Sequence, residues 1–447
     1  MIRFQLHNFG CRTNQAEGSG LRQQLLAAGL AQVPRFAPSE FAILNTCTVT
    51  ATADAEVRQV IRRIHRADPL CRILVTGCYA QREAQEIARL PGVAWVVGNS
   101  HKHKVADLLK NQFDAEAIVR QQAISAAGTG VDVLVGELAT GFEFAPVPLC
   151  GNDRTRPTLK VQDGCNARCS FCIVPLVRGQ SRSLAADTVV TQVGELAAKG
   201  YQEVVLSGIN LGSYGLDLQP RVTLPTLIER ILAEAPIARL RVSSLEVTDL
   251  SPEMLRLFAR ATRLAQHFHV PLQSGCDRIL RLMRRPYTAA QYAERIFAIH
   301  ELMPHCGLGA DVMVGFPGET EEDHGASLRL IESLPFTYLH IFPYSARPGT
   351  PAAAEPRQVN GRIIRERCQQ LRSVMKVKRQ AFLAAQVGRE LSVLTLDDME
   401  DGARIALSSN YLKVALLGPD PGANRLLDVY IERVAGEFLW GAPEKPE

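Results

Sequence analysis

The sequence predicts an α/β chain in three parts: an N-terminal parallel α/β domain, a partial (β/α)6 barrel and a small C-terminal β-barrel. Three observations predict it. Short apolar runs alternate with helical patterns through the first hundred residues. Six further strand–helix units follow over about 190 residues, and the last sixty or so residues carry segments with strand-like alternation. Alternating strands and helices imply parallel sheets covered by helices.

In the first part (1–110), "MIRFQL" reads as a strand and is followed by a helix from about Glu17 to Ala31. "FAILNTC" is the next strand, followed by a helix at Ala53–Ala67. "RILVTGC" is the third, with a helix starting near Ala80, and "AWVVG" closes the set. Cys11, Cys47 and Cys78 each fall just after one of these strands. The carboxyl ends of parallel strands form a ligand crevice. Three thiols 36 and 31 positions apart in sequence can therefore meet in space, with plain packing of buried cysteines as the alternative reading of the same positions.

Residues 111–155 read as a linker, small and polar in "QQAISAAGTG" and proline-bearing in "FEFAPVPLCGNDRTRPT". The second domain (156–380) opens with "TLKVQD" and continues with "EVVLSGI", "RLRVSSL", "HFHVPLQ", "LGADVMVGF" and "TYLHIFPYS" as strands. Helical patterns at Asp187–Lys199 and Ala289–Leu302 separate some of them. Six units are fewer than the eight of a complete barrel. After the first barrel strand comes "DGCNARCSFC", which places Cys165, Cys169 and Cys172 within eight residues. A closed structural metal site wants four protein ligands. Three leave one coordination position open for chemistry. A zinc site completed by a distant His or Cys is the alternative reading of the same spacing.

From Arg357 to Gln380 there are eight Lys/Arg against one acid, Glu366, while Ile364, Cys368, Leu371 and Met375 recur at helical spacing. That describes a helix with one apolar face and a basic remainder. In residues 386–447, "RELSVLTL", "YLKVALLG" and "RLLDVYIE" alternate like strands of a small barrel. The same stretch holds eleven Asp/Glu and six Lys/Arg, so its surface repels phosphate.

The chain is 447 residues long, 46% hydrophobic and 21% charged, with net charge +4. These values are ordinary for globular domains, and the mild positive charge is compatible with a nucleic-acid partner. No signal peptide is visible at "MIRFQLHNFG", and no apolar run is long enough for a membrane span, so a cytoplasmic protein with no membrane partner is expected. Eleven cysteines in such a chain point to metal ligands or catalytic groups more than to disulfides. Cys71, Cys150, Cys276, Cys306 and Cys368 belong to no motif and read as structural.

The C-x-x-x-C-x-x-C spacing after a first barrel strand, with Phe171 before Cys172, resembles the radical S-adenosylmethionine (SAM) superfamily. "NFGCRTNQAE", "LNTCTVTATADAEVRQ" and "VTGCYAQREA" resemble the three segments by which its methylthiotransferases bind an auxiliary cluster. "NTCTVT", "KVQDGCN", "RGQSRS", "LSGINLGSYG" and "FPYSARPGT" are most similar to the branch acting on threonylcarbamoyladenosine in tRNA. The isopentenyladenosine and ribosomal-protein branches typically differ after the first and second cysteines.

The resemblance spans about residues 3 to 355 and implies two [4Fe–4S] clusters, one on each three-thiol set. It also implies SAM bound at the open iron of the Cys165/Cys169/Cys172 cluster. Ser207, Gly208, Asn210, Glu246, Gln273, Asp311, Gly315 and Pro317 lie at strand ends where this superfamily contacts SAM. The implied reaction replaces the adenosine C2–H by C2–SCH3 beside the anticodon. Two SAM are used per turnover, with electrons from a reductant. Isopentenyladenosine and a ribosomal-protein aspartate are alternative substrates, and a non-catalytic, zinc-stabilised RNA-binding protein is the alternative of another class. Arg178, Arg182, Arg365, Arg372, Lys376 and Arg379 are the candidate contacts to the tRNA anticodon loop, phosphate attracting such charge without regard to sequence. The tail resembles the RNA-binding TRAM barrel, with "SSNYLKV" as its sheet segment.

Overall fold

The computed structural model of the chain describes residues 2–111, 130–138 and 155–443. Cys150 and most of the expected linker lie outside them. The N-terminal strands are β1 (Arg3–Asn8), β2 (Ala31–Gln32), β3 (Phe41–Thr46), β4 (Arg72–Gly77), β5 (Val93–Gly98) and β6 (Asp132–Leu134). They form one sheet in the order β2-β1-β3-β4-β5-β6, every neighbouring pair parallel. β3 is buried along its whole length, as a strand covered on both faces must be.

Three elements here depart from the sequence expectation. The first helix is Arg12–Ala27 rather than one starting at Glu17. Its first turn carries no apolar stripe because its inward face is polar: Thr13, Asn14 and Glu17 are all buried. The helix expected from Ala80 is two short ones, Cys78–Arg82 and Ala84–Ala88, broken at Glu83. β6, inside the expected linker, adds a sixth strand beside β5.

The second region supplies β7 (Thr158–Lys160), β8 (Gln162–Asp163), β9 (Arg182–Ser183), β10 (Glu203–Ser207), β11 (Arg239–Val242), β12 (His267–His269), β13 (Gly307–Val314) and β14 (Tyr338–Pro343). Two parallel sheets, β7-β10-β11 and β12-β13-β14, are joined by a parallel bridge between Leu240 and Leu264. β8 and β9 pair as a small antiparallel ribbon at the rim. Alternate residues, including Phe268, Val270 and Leu308, face the helices in one continuous core. Gly309 leaves room for the ring of Tyr338, whose Cζ would lie 2.0 Å from a Cβ at that position.

The basic helix is Gly361–Ala384, capped by the Asn360 side chain. Cys368, Leu371 and Met375 are buried against the barrel core, as the periodicity predicts. The chain then forms β15 (Glu390–Glu400), β16 (Ala403–Ser408), β17 (Lys413–Leu416), β18 (Leu426–Ala435) and β19 (Phe438–Ala442), closed in the order β15-β16-β17-β19-β18. Three of these five are legible as alternating segments. The Ala-containing β16 and the short β19 are not, because their places are set by ring closure more than by local pattern. No helix among the described residues is long and apolar enough to cross a membrane.

The small barrel docks on the base of the large one. Arg239 donates to the Ser392 and Leu407 carbonyls, and Arg241 to those of Ser408 and Ser409.

Candidate active site: two thiol sets across one interface

Cys47 follows β3 directly and Cys78 follows β4 directly, while Cys11 lies at the N-cap of the first helix. The parallel register brings them together. Burial pushes the Cys47 thiol up to about 12, with the neighbouring Cys78 and Cys11 sulfurs adding to the shift. Gly10, at φ +86°, allows the close approach: a Cβ there would sit 2.7 Å from Cys47 Sγ. Two buried asparagines hold the loops. Asn14 Nδ2 donates to the Phe9 and Thr46 carbonyls at 3.0 and 2.8 Å, and Asn45 Nδ2 donates to the Asn14 carbonyl at 2.6 Å. Asn99 Nδ2 donates to Cys78 Sγ at 3.4 Å and to the Val177 carbonyl at 2.8 Å, which ties this set to the barrel.

The second set lies on the loop between β8 and the helix Val174–Arg178. Burial pushes Cys172 up to about 12, with Cys169 and Cys165 contributing. Cys165 Sγ accepts from Ala167 N at 3.4 Å and from Asn210 Nδ2 at 3.8 Å, and Cys169 Sγ accepts from Arg285 Nη1 at 3.4 Å. Arg285 also pairs with Glu246. Asn210 and Glu246 thus stand beside this set.

Gln162, inside the "KVQDGCN" motif but given no role by it, organises the rim. Its Oε1 accepts from the Ile209 and Asn210 amides at 2.9 and 2.8 Å, and its Nε2 donates to the Asp163 and Gly164 carbonyls. It therefore locks the Ser207–Asn210 turn to the start of the thiol loop, and it fills the space beside Gly208. Ser207 is buried at the end of β10.

Gln273 is buried, at φ +62°, and its Oε1 has no partner among the described residues. A buried carbonyl oxygen left without a partner in a strained backbone is free to accept a hydrogen bond from a ligand. Asp311 Oδ1 is held by His269 Nε2 at 3.0 Å and His340 Nδ1 at 3.2 Å. Gly315, at φ +77°, has a different reason to be glycine from the expected approach to a ligand. A Cβ there would meet Ile364 of the basic helix at 2.4 Å, and its amide donates to Glu319. Pro317 lies two residues further along that turn, before the helix Glu321–Ser333.

One expected RNA contact is overturned. Arg178 is 2% exposed and cannot meet a phosphate. It enters the interface between the two thiol sets, donating to Glu17 at 2.9 Å, to Asp163 at 2.8 Å and to Asn14. Lys102 and Lys160 also pair with Glu17. Burial opposes the Glu17 charge, but Arg178, Lys102 and Lys160 outweigh it and hold its pKa well below the carboxylate range. Burial likewise works against the Arg178 charge, and Cys78, Glu17 and Asp163 hold it above its ordinary value. The signal in the sequence is present but ambiguous: an arginine beside a cluster loop serves a buried carboxylate as well as a phosphate.

A second lock lies beside Cys47. Arg347 Nη1 donates to Asp54 at 2.6 Å and to the Thr48 carbonyl at 3.3 Å. Arg182 is partly buried against Asp163. Arg365, Arg372 and Lys376 are exposed on the basic helix, and Arg379 is half-buried.

Both sets fit iron–sulfur ligation on their own geometry. Each brings three sulfurs near one another, Cys11 exposed at the edge of its set and the other five buried or partly buried. Each has N–H donors aimed at sulfur, as in cluster sites whose sulfurs carry negative charge.

Comparison with known proteins agrees. The Radical SAM superfamily model matches residues 159–331, and the model described as Uncharacterized protein family UPF0004 matches residues 3–98. Threonylcarbamoyladenosine tRNA methylthiotransferase MtaB of Aquifex aeolicus is 35% identical over 413 residues, covering 92% of this chain and 96% of that protein. The tRNA-2-methylthio-N(6)-dimethylallyladenosine synthase of Syntrophobacter fumaroxidans is 35% identical over 373 residues, covering 83% of this chain and 79% of that protein. The radical S-adenosylmethionine methyltransferase TsrM from Kitasatospora setae shares the fold, with a TM-score of 0.54 at 16% identity over 79% of this chain and 77% of that one. With both thiol sets in place and relatives matching along nearly its whole length, the chain belongs to the radical SAM methylthiotransferase family.

Proposed function

We propose that this enzyme methylthiolates C2 of N6-threonylcarbamoyladenosine next to the anticodon of tRNA, using SAM and two [4Fe–4S] clusters. Cys165, Cys169 and Cys172 would hold the cluster that binds SAM, and Cys11, Cys47 and Cys78 the auxiliary one. When bound, these groups supply hydrogen abstraction from an unactivated C–H at the first site and sulfur at the second. The observation that carries the two-cluster reading is that two separate three-thiol sets face one interface, bridged by Asn99 and Arg178. Relatives named for threonylcarbamoyladenosine, from Aquifex aeolicus and Bacillus subtilis, support the substrate.

The chain's own residues do the positioning. Asn210 and Glu246 stand where the methionine end of SAM would lie, and Gln273 offers its unpartnered oxygen to the same ligand. Arg285 holds Glu246 and Cys169 in one arrangement. Arg178 and Arg347 fix the two thiol sets relative to each other, which a transfer between them requires. Exposed Arg365, Arg372 and Lys376 would meet phosphates of the anticodon arm, with half-buried Arg379 on the same helix and partly buried Arg182 beside the thiol loop as further contacts. The setting is the cytoplasm, where thiols stay reduced, with an electron donor for the clusters.

Mass spectrometry of tRNA nucleosides from cells with and without the gene tests this reading. Loss of the methylthio-threonylcarbamoyl nucleoside, with its unthiolated precursor accumulating, is the expected result. An unchanged profile at that nucleoside would remove the proposed substrate. Loss at the isopentenyl nucleoside instead would favour the second reading, which rests on the Syntrophobacter fumaroxidans relative.

A further inference from the structure

The base of the large barrel holds more positive charge than its carboxylates neutralise. Arg156, Arg239 and Arg241 share one carboxylate, Glu203, at 3.4, 2.5 and 2.8 Å. Asp311, further along the strands, is already held by His269 and His340. A fourth guanidinium, Arg12, enters from the N-terminal domain. Its Nη2 donates to Tyr411 Oη at 2.7 Å, and its Cζ lies 5.7 Å from the Tyr411 ring centroid. Arg241 approaches the same ring, at 5.4 Å. Tyr411, at φ +68°, stacks on His267 at 4.4 Å and closes the base of the barrel.

Arg12 is partly buried and has no carboxylate partner among the described residues. Its charge reaches the lumen. Burial, then Arg241, His269 and Arg12 hold His267 well below its ordinary value, so that imidazole is neutral and adds no positive charge of its own. A partly buried guanidinium with no carboxylate partner among the described residues keeps donors available to an entering anion.

Arg12 is also the residue after Cys11, one of the three thiols to which the reacting base must come. In adenine, C2 and C6 flank N1, so the C2–H and C6–N6 bonds diverge from each other across the Watson–Crick edge. A base presenting C2 to the thiols therefore carries its N6 arm several ångströms away from them, within the span of an arginine side chain. The threonylcarbamoyl arm ends in a carboxylate, and the isopentenyl arm is apolar.

We propose that Arg12, backed by Tyr411, receives the carboxylate of the threonylcarbamoyl arm and so selects a charged N6 substituent over an apolar one. This inference rests on the substrate reading above. A site built to pair a substrate charge discriminates strongly, because the analogue lacking that charge leaves the site's own group unpaired.

The test uses anaerobically reconstituted holoenzyme and anticodon stem–loops bearing the arm either as the free acid or as its methyl ester. Binding is read by fluorescence anisotropy, with iron content checked for every variant. Wild type should bind the acid roughly ten- to hundredfold more tightly than the ester. Arg12→Met should bring that ratio close to unity, Arg12→Lys should restore part of it, and Tyr411→Phe should lower it by a smaller factor. An unchanged ratio in Arg12→Met would overturn the proposal. So would an equal loss of affinity for acid and ester, which would make Arg12 a backbone-phosphate contact. Methylthiolation by wild type of an isopentenyl stem–loop, and of neither threonylcarbamoyl form, would sink the substrate reading itself.

Discussion

The two thiol sets have the same number of sulfurs but are built by opposite means. Cys165, Cys169 and Cys172 occupy eight consecutive residues of one loop, so their proximity needs little beyond that loop's own turns. Cys11, Cys47 and Cys78 are brought together only because β1, β3 and β4 pair in parallel register and end at one level. The first set is local and the second topological. The local set should survive perturbation of the N-terminal sheet, while the topological set depends on every polar bond that fixes its loops.

The strongest way to separate them is removal. Replacing Cys165, Cys169 and Cys172 by Ala should abolish SAM cleavage, measured as 5′-deoxyadenosine. Replacing Cys11, Cys47 and Cys78 should leave cleavage and stop methylthiolation. Methylthio product from the second triple variant would end the distinction.

Arg178 tests the join. Its guanidinium is buried among Glu17, Asp163 and Asn14, and breaking such a network by removing one partner costs about 3–5 kcal/mol. Arg178→Met should lower the thermal midpoint accordingly and leave more SAM cleavage than methylthio transfer. A variant with wild-type stability and coupling would show that the interface does not hold the two sets in place.

The same network predicts a pH dependence. Glu17 and Asp163 have pKa values depressed below the ordinary carboxylate range, Arg178 and a lysine outweighing burial at each. Their contribution to stability is complete above the unfolded-state value, roughly pH 4, and is lost as pH falls through the depressed folded-state values. Thermal midpoints measured from pH 7 to pH 3 should therefore fall more steeply below pH 4 in wild type than in Arg178→Met. Parallel profiles would remove the network from the account.

A smaller effect sharpens the contrast. Asn14→Ala removes a buried amide that bonds the Cys11 and Cys47 loops, at about 1–3 kcal/mol. It should lower iron loading at the topological set alone, seen as partial loss of iron and of methylthio product. Equal loss from both sets would contradict their independence. The smallest effect lies outside both sets. Replacing Arg365, Arg372 and Lys376 by Gln should weaken tRNA binding and reduce the salt slope by roughly 0.7–0.9 for each phosphate that is no longer neutralised. An unchanged slope would take the basic helix out of the RNA surface.

Legibility follows the same division. The apolar faces of the basic helix and of the barrel strands repeat at regular spacing, so they are visible along the chain. The first turn of the Arg12–Ala27 helix is not, because its buried face is a polar network that periodicity does not register. Asn14, Asn45, Asn99, Gln162 and Arg285 each bond to a group far away in sequence; Asn14, Asn45 and Gln162 lie inside quoted motifs beside the cysteines, but no local pattern names their distant partners. Arg178 reads as a surface residue for the opposite reason: a cation beside a functional loop has the same local appearance whether it faces water or a buried Glu17.

What the sequence by itself determined is the chemistry available: three thiols at a spacing that leaves a coordination position open, strand–helix alternation that makes parallel sheets, and a helix apolar on one face and basic on the rest. Only the tertiary structure decided which charges meet. It joined the thiol sets through Arg178 and Arg347, and it closed the barrel base with Tyr411 beneath Arg12. The physical reason is range. Hydrophobic periodicity and metal-ligand spacing act over a few residues and are written along the chain, whereas the pairing of buried polar groups depends on distances that exist only once distant strands have been brought together.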